Sequence, residues 1–135
     1  DSVVVILAGY PEEMKTFLSR NPGLRSRISF HVHFRDYTPK ELLSILKLFI
    51  SETGMDLEDA ATPKLLHIFN EATEEKDFGN GRFARNLFEQ ARLRQASRVL
   101  HIPSPSDADI RTLIADDFIE SEGREEQRRQ IGFVF

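Results

Sequence analysis

Residues 3 to 8, VVVILA, constrain this chain more than any other feature. The run is β-branched and aliphatic throughout, with no polar alternation. A strand reads this way when both of its faces are covered, as in the parallel sheets of α/β folds. Full burial of each such side chain is worth roughly 1.5–3 kcal/mol, so an exposed run is a liability. Only one other segment reads as a strand, ISFHVHF at 28 to 34. It alternates Ile28, Phe30, Val32 and Phe34 on one face with Ser29, His31 and His33 on the other. Two strands cannot cover each other on both faces. The rest of their sheet is therefore expected outside these 135 residues, and the opening Asp1-Ser2, with no initiator methionine, reads as a cut from a longer chain.

The segments around these strands read as helices with recognisable ends. Gly9-Tyr10-Pro11 makes a turn, and Pro11-Glu12-Glu13 suits a first helical turn, where proline is tolerated and acidic residues favour the dipole. Met14, Phe17 and Leu18 give that helix its apolar stripe, and Asn21-Pro22-Gly23 stops it. Thr38-Pro39-Lys40-Glu41 is a capping box with proline at the first position. Leu42, Leu43, Ile45, Leu46, Phe49 and Ile50 follow at helical spacing, with Gly54 as a C-terminal cap. A second helix is predicted from Glu58 or Pro63 to Glu75, with Leu65, Leu66, Ile68, Phe69 and Ala72 on its core side. A third runs from Gly81 to Leu100, its core side being Phe83, Leu87, Phe88 and Ala91. Pro103 and Pro105 break the chain, and a fourth helix is predicted over 107 to 119. The predicted fold is an α/β remnant, two strands and a helix of a parallel sheet, followed by an all-α domain of about four helices. Its divisions are 1 to 36, 37 to 120, and a charged linker or tail at 121 to 135.

Composition narrows the function. Apolar residues make up 40% and charged residues 30%, the balance of a globular domain, and the net charge is −4. That charge argues against general affinity for nucleic acid or anionic membrane. The chain has no cysteine, which fits a reducing compartment and leaves no thiolate metal site. No apolar run approaches the ~18 residues of a membrane helix.

Three places could carry chemistry. GLRSRI, residues 23 to 28, puts Arg25 and Arg27 on a predicted loop between helix and strand. A guanidinium there can bind two oxygens of a phosphate or carboxylate on a neighbouring molecule, although a pair of solvated loop arginines or a local ion pair is the commoner case. GNGRFARN, residues 79 to 86, opens the third helix, with Gly81 allowing close backbone approach, Asn80 as a cap, and Arg82 and Arg85 pointing outward one turn apart. The free N–H groups of such a helix start favour an anion, although a plain glycine turn with surface charges is the common alternative. Tyr10 lies beyond the carboxyl end of the first strand, where open α/β sheets bind ligands, or is a packed turn residue. His31 and His33 lack a third metal ligand, so no metal site is expected. Arg92, Arg94 and Arg98 are expected on a solvated or partner-facing side of the third helix.

Taken in order, VVVILAGYPEEM, NPGLRSRI, HVHFRDYTPKEL and GNGRFARN resemble the AAA+ ATPases of the CbbX and stage V sporulation protein K type, over residues 3 to 100. The resemblance implies that Arg27, or else Arg25, is the arginine finger, and that Arg82 is the sensor 2 arginine with Arg85 supporting it. Gly81 and Tyr10 would then adjoin the nucleotide, with Gly9-Tyr10 standing where a polar sensor 1 residue is usual. It also implies ATP with Mg2+ in the intact protein, identical subunits in a ring of six, a protein substrate and a cytoplasmic location. Membrane and nucleic acid are not expected partners. The phosphate-binding loop and the strand ending in Asp-Glu are absent from the sequence, so the piece alone is expected to hold no ATP and to hydrolyse none. The alternatives are a stand-alone helical interaction module derived from such a lid, and a small nucleic-acid binder using the third-helix arginines.

Overall fold

The computed structural model describes residues 3 to 119. The chain falls into two compact units, Asp1–Arg35 and Asp36–Phe135. The predicted tail, 121 to 135, lies outside the described residues.

The first unit holds two helices. α1, Pro11–Arg20, starts at a proline and carries Glu12 and Glu13 in its first turn, as its sequence requires. It ends at Asn21, whose side-chain amide donates to the Phe17 carbonyl at 2.8 Å. Pro22 stops α1 but also starts a second helix, α2, Pro22–Arg27. Its missing N–H costs nothing at a first helical position. GLRSRI is therefore a short helix rather than the predicted loop, and Arg25 and Arg27 sit in its last turn.

The predicted strands at 3 to 8 and 28 to 34 form no ladder. Val3, Ile6, Phe30 and Phe34 are 84 to 87% exposed, and neither α1 nor α2 buries any residue. A strand closes its hydrogen bonds only with a neighbour, and the described residues supply none. The fold class expected from the sequence, an α/β remnant followed by a helical lid, is the one found.

The second unit buries a core of its own. α3, Pro39–Glu52, begins with the reciprocal Thr38–Glu41 capping box. It ends at Gly54, whose φ of +70° few other residues accept. Gly54 N–H donates to the Ser51 carbonyl and Met55 N–H to the Ile50 carbonyl, the Schellman pattern. α4, Ala61–Glu74, and α5, Gly81–Leu100, pack on α3. Leu42, Leu46, Leu65, Phe69 and Ala84 are fully buried between them. Phe83 meets Phe69 and Phe78 edge to face at centroid distances of 6.0 and 6.3 Å.

The predicted fourth helix is much shorter. α6, Asp107–Arg111, gives way to a two-residue strand, β2 at Thr112–Leu113, and a 3-10 turn at Ala115–Asp117. β2 pairs in parallel with β1, Asp56–Leu57, placing Leu113 and Phe118 at 0% exposure under the helices. Asp117 is also buried, and takes a two-pronged hydrogen bond from Arg98, Nε to Oδ1 at 3.1 Å and Nη2 to Oδ2 at 3.0 Å. The Ile114 N–H completes its shell at 2.9 Å. This tie holds the chain in a turn where a helix was predicted.

Candidate functional site

The predicted site residues divide between the two units. Tyr10, Arg25 and Arg27 belong to the first. Tyr10 precedes α1, is exposed, and accepts the Met14 N–H through its carbonyl at 2.9 Å. Arg25 and Arg27 are exposed, and the described residues place no carboxylate in salt-bridge reach of either.

Gly81, Arg82 and Arg85 belong to the second unit and open α5. The loop before them is bent through backbone angles that L-residues seldom adopt, with φ of +59° at Asp77, +91° at Gly79 and +50° at Asn80. Gly79 suits its angle; a Cβ at Gly81 would meet open space. Asp77 and Asn80 are not glycines, and the angles of Asn80 are the telling ones. Its φ of 50° and ψ of −121° match the first central position of a type II′ turn, which glycine dominates. Holding a side chain there costs about 1–3 kcal/mol.

Asn80 was expected to cap α5 but makes no side-chain cap bond. Its Oδ1 accepts the backbone N–H of Tyr37 at 2.8 Å, and its Nδ2 donates to Asp36 Oδ1 at 2.7 Å. A carboxylate can only accept and an amide N–H only donate, so the carboxamide has one orientation. The left-handed backbone turns the side chain away from its own helix and toward the linker that leads into the unit. Sequence reasoning missed this tie. The only available signal was an asparagine between two glycines.

Arg82 is exposed, and the described residues give its guanidinium no hydrogen bond or ion pair; the first turn of α5 holds no acidic residue. Arg85 differs. Its Cζ lies 4.6 Å from the centre of the Phe49 ring, a cation–π contact worth about 0.5–1 kcal/mol at an exposed site. The expected pair of outward cations is thus one outward arginine and one laid across α3. The arginines further along α5 are also committed. Arg92 lies over Phe88 at 5.6 Å and pairs with Glu89 at 3.5 Å. Arg94 donates to the Asp117 carbonyl, and Arg98 holds the Asp117 carboxylate. That hydrogen bond raises the Arg98 pKa above its ordinary value. Of the expected solvated or partner-facing row, Arg94 and Arg98 are instead internal braces, because β2 and the 3-10 turn fold back beneath α5, while Arg92 stays on the exposed side of its own helix.

Among the described residues no cluster of three or more His, Cys, Asp or Glu could hold a metal ion, and no helix is long and apolar enough to cross a membrane. The arrangement offers an anion one unpaired guanidinium at a helix start that lacks carboxylates. That fits one edge of a polyphosphate; a magnesium ion would need ligands from elsewhere.

Residues 38–128 match the sequence model of the AAA lid domain. The chain is 39% identical to the chloroplast ribulose bisphosphate carboxylase/oxygenase activase of Cyanidioschyzon merolae, over 90% of this chain and 42% of that protein. It is 38% identical to the CfxQ homolog of Cyanidium caldarium, over 89% and 43%. With protein CbbX of Cereibacter sphaeroides the identity is 36%, over 90% and 40%. The chain belongs to the AAA+ ATPases of the CbbX type, as their C-terminal part, and spans about 40% of the length of these relatives.

Proposed function

We propose that this chain is the lid and arginine-bearing segment of a ring-forming ATPase, not catalytic by itself because the rest of the nucleotide site belongs to other parts of the intact protein.

 

The intact protein supplies the phosphate-binding loop and the magnesium ligands, and this chain supplies guanidinium groups. Arg82 contacts the phosphates of the ATP held by its own subunit, so that lid angle follows nucleotide state by hinge closure around residues 36 to 38. Arg27, with Arg25 as helper or alternative, reaches the ATP of the neighbouring subunit in a ring of six. Charge spread over the transferring phosphoryl oxygens is stabilised by such a residue, which in other nucleotide hydrolases is worth about 10³–10⁵ in rate. Gly81 and Tyr10 adjoin the nucleotide, and Arg85 supports Arg82 by bracing α5 against α3. The ring works on a protein substrate in the cytoplasm. One relative is named an activase of ribulose bisphosphate carboxylase/oxygenase, which makes that enzyme a first client to test.

The observation that carries this reading is Arg82, exposed at the start of α5 with no carboxylate in the first turn. The test is steady-state ATP hydrolysis by the intact protein. Arg82→Ala should raise KM for ATP, and Arg27→Ala should lower kcat by about 10³ while leaving ATP binding in place. Wild-type kinetics in both variants would end the proposal.

A further inference from the structure

Asn80 occupies backbone angles that favour glycine, and it has a glycine on either side. The turn itself does not need an asparagine. What the side chain adds is a pair of hydrogen bonds to residues 43 and 44 positions earlier, Tyr37 N–H and Asp36 Oδ1. Asp36 is the first residue of the second unit, next to the division at Arg35, and Arg82 follows Asn80 by two positions. Thr38, directly after the tied residues, caps α3 through Glu41. The linker is thus fastened on one side to the start of α5 and on the other to the start of α3.

We propose that Asn80 is a positioning residue: it ties the Asp36–Tyr37 linker to the first turn of α5, so that linker and Arg82 turn as one body when the lid moves. The proposal rests on the reading of Arg82 as a nucleotide contact and adds the part that transmits the motion. Without the tie, the linker swings independently of α5, and hinge closure no longer sets the position of the guanidinium.

Asn80→Gly is the informative variant. Glycine accepts φ of 50° without strain, so the turn survives and only the side-chain bonds are lost; alanine there would add strain. In the intact protein, Asn80→Gly should speed hydrogen exchange of the Tyr37 amide by about three- to tenfold, the loss of one modest hydrogen bond. Its Tm should be no lower than wild type, while KM for ATP rises by about threefold or more. A variant that merely weakened the lid would lower Tm instead. Asn80→Asp keeps an acceptor for Tyr37 but sets a carboxylate against Asp36, so its defect should shrink as salt is raised, unlike that of Asn80→Gly. Unchanged Tyr37 exchange in Asn80→Gly overturns the tie. Faster exchange with wild-type KM, where Arg82→Ala does raise KM, overturns the coupling and leaves the role of Arg82 standing. If Arg82→Ala leaves KM unchanged, the nucleotide reading fails and takes the coupling with it; Tyr37 exchange then reports separately on whether the tie exists.

Discussion

The two units carry equally clear sequence signals and meet different ends. In residues 36 to 119, caps, apolar stripes and turns agree with one another, and the helices close around Leu42, Leu46, Leu65 and Phe69. In residues 3 to 35, the strongest apolar run of the chain stands in solvent beside two helices that bury nothing. The contrast teaches that a helix completes its hydrogen bonds within itself, whereas a strand makes its hydrogen bonds only with a neighbour. An apolar run shows that a partner is needed without supplying it.

Core truncation should separate the units most. Phe69→Ala removes a fully buried ring and should cost about 3–5 kcal/mol in denaturant unfolding of the chain. Val5→Ala, at a side chain 74% exposed, should cost less than about 0.5 kcal/mol in the same measurement. Similar losses at the two sites would break the contrast.

The arginines give the next largest difference. Arg98→Ala leaves the Asp117 carboxylate buried without its partner. The loss should be about 3 kcal/mol, the low end for a buried pair, because the Arg98 side chain keeps 27% exposure. Arg25→Ala, on an exposed side chain of α2, should change the unfolding midpoint little. A small effect at Arg98 would mean that the fold-back beneath α5 does not depend on this pair.

The smallest effect concerns a cap. Ser106 and Asp109 form a reciprocal capping box at α6, and the hydrogen bond from the Ser106 hydroxyl holds the Asp109 carboxyl below its ordinary pKa of 3.8. Ser106→Ala should cost about 1 kcal/mol near neutral pH. A lowered folded-state pKa gives stability that is present above the unfolded value and lost as pH falls through the folded one. The difference between Ser106→Ala and wild type should therefore shrink below pH 3.8, as followed by unfolding at a series of pH values. α1 offers the comparison, since Tyr10 makes no side-chain cap bond there.

Much of the second unit was legible in the sequence. The Thr38–Glu41 box, the glycine at the end of α3 and the span of α5 were read correctly because each depends on residues a few positions apart. The same local logic failed at α6, where the predicted helix yields to β2 and the 3-10 turn once Asp117 meets Arg98. Of the candidate site, the sequence singled out Arg82 and Arg85 together. Their different surroundings, open solvent for one and the Phe49 ring for the other, depend on which residues α3 presents to α5.

The sequence by itself determined where α1, α3 and α5 start and stop, which of their faces are apolar, and the family to which four ordered motifs belong. Only the tertiary structure decided that Asn80 reaches the linker rather than capping its own helix, that Arg98 is a brace, and that β1 and β2 meet. Local hydrogen bonds and stripes repeat over three or four residues and can be read along the chain. Contacts between residues tens of positions apart exist only after the backbone has turned back, and the side chain that makes them looks the same in the sequence either way.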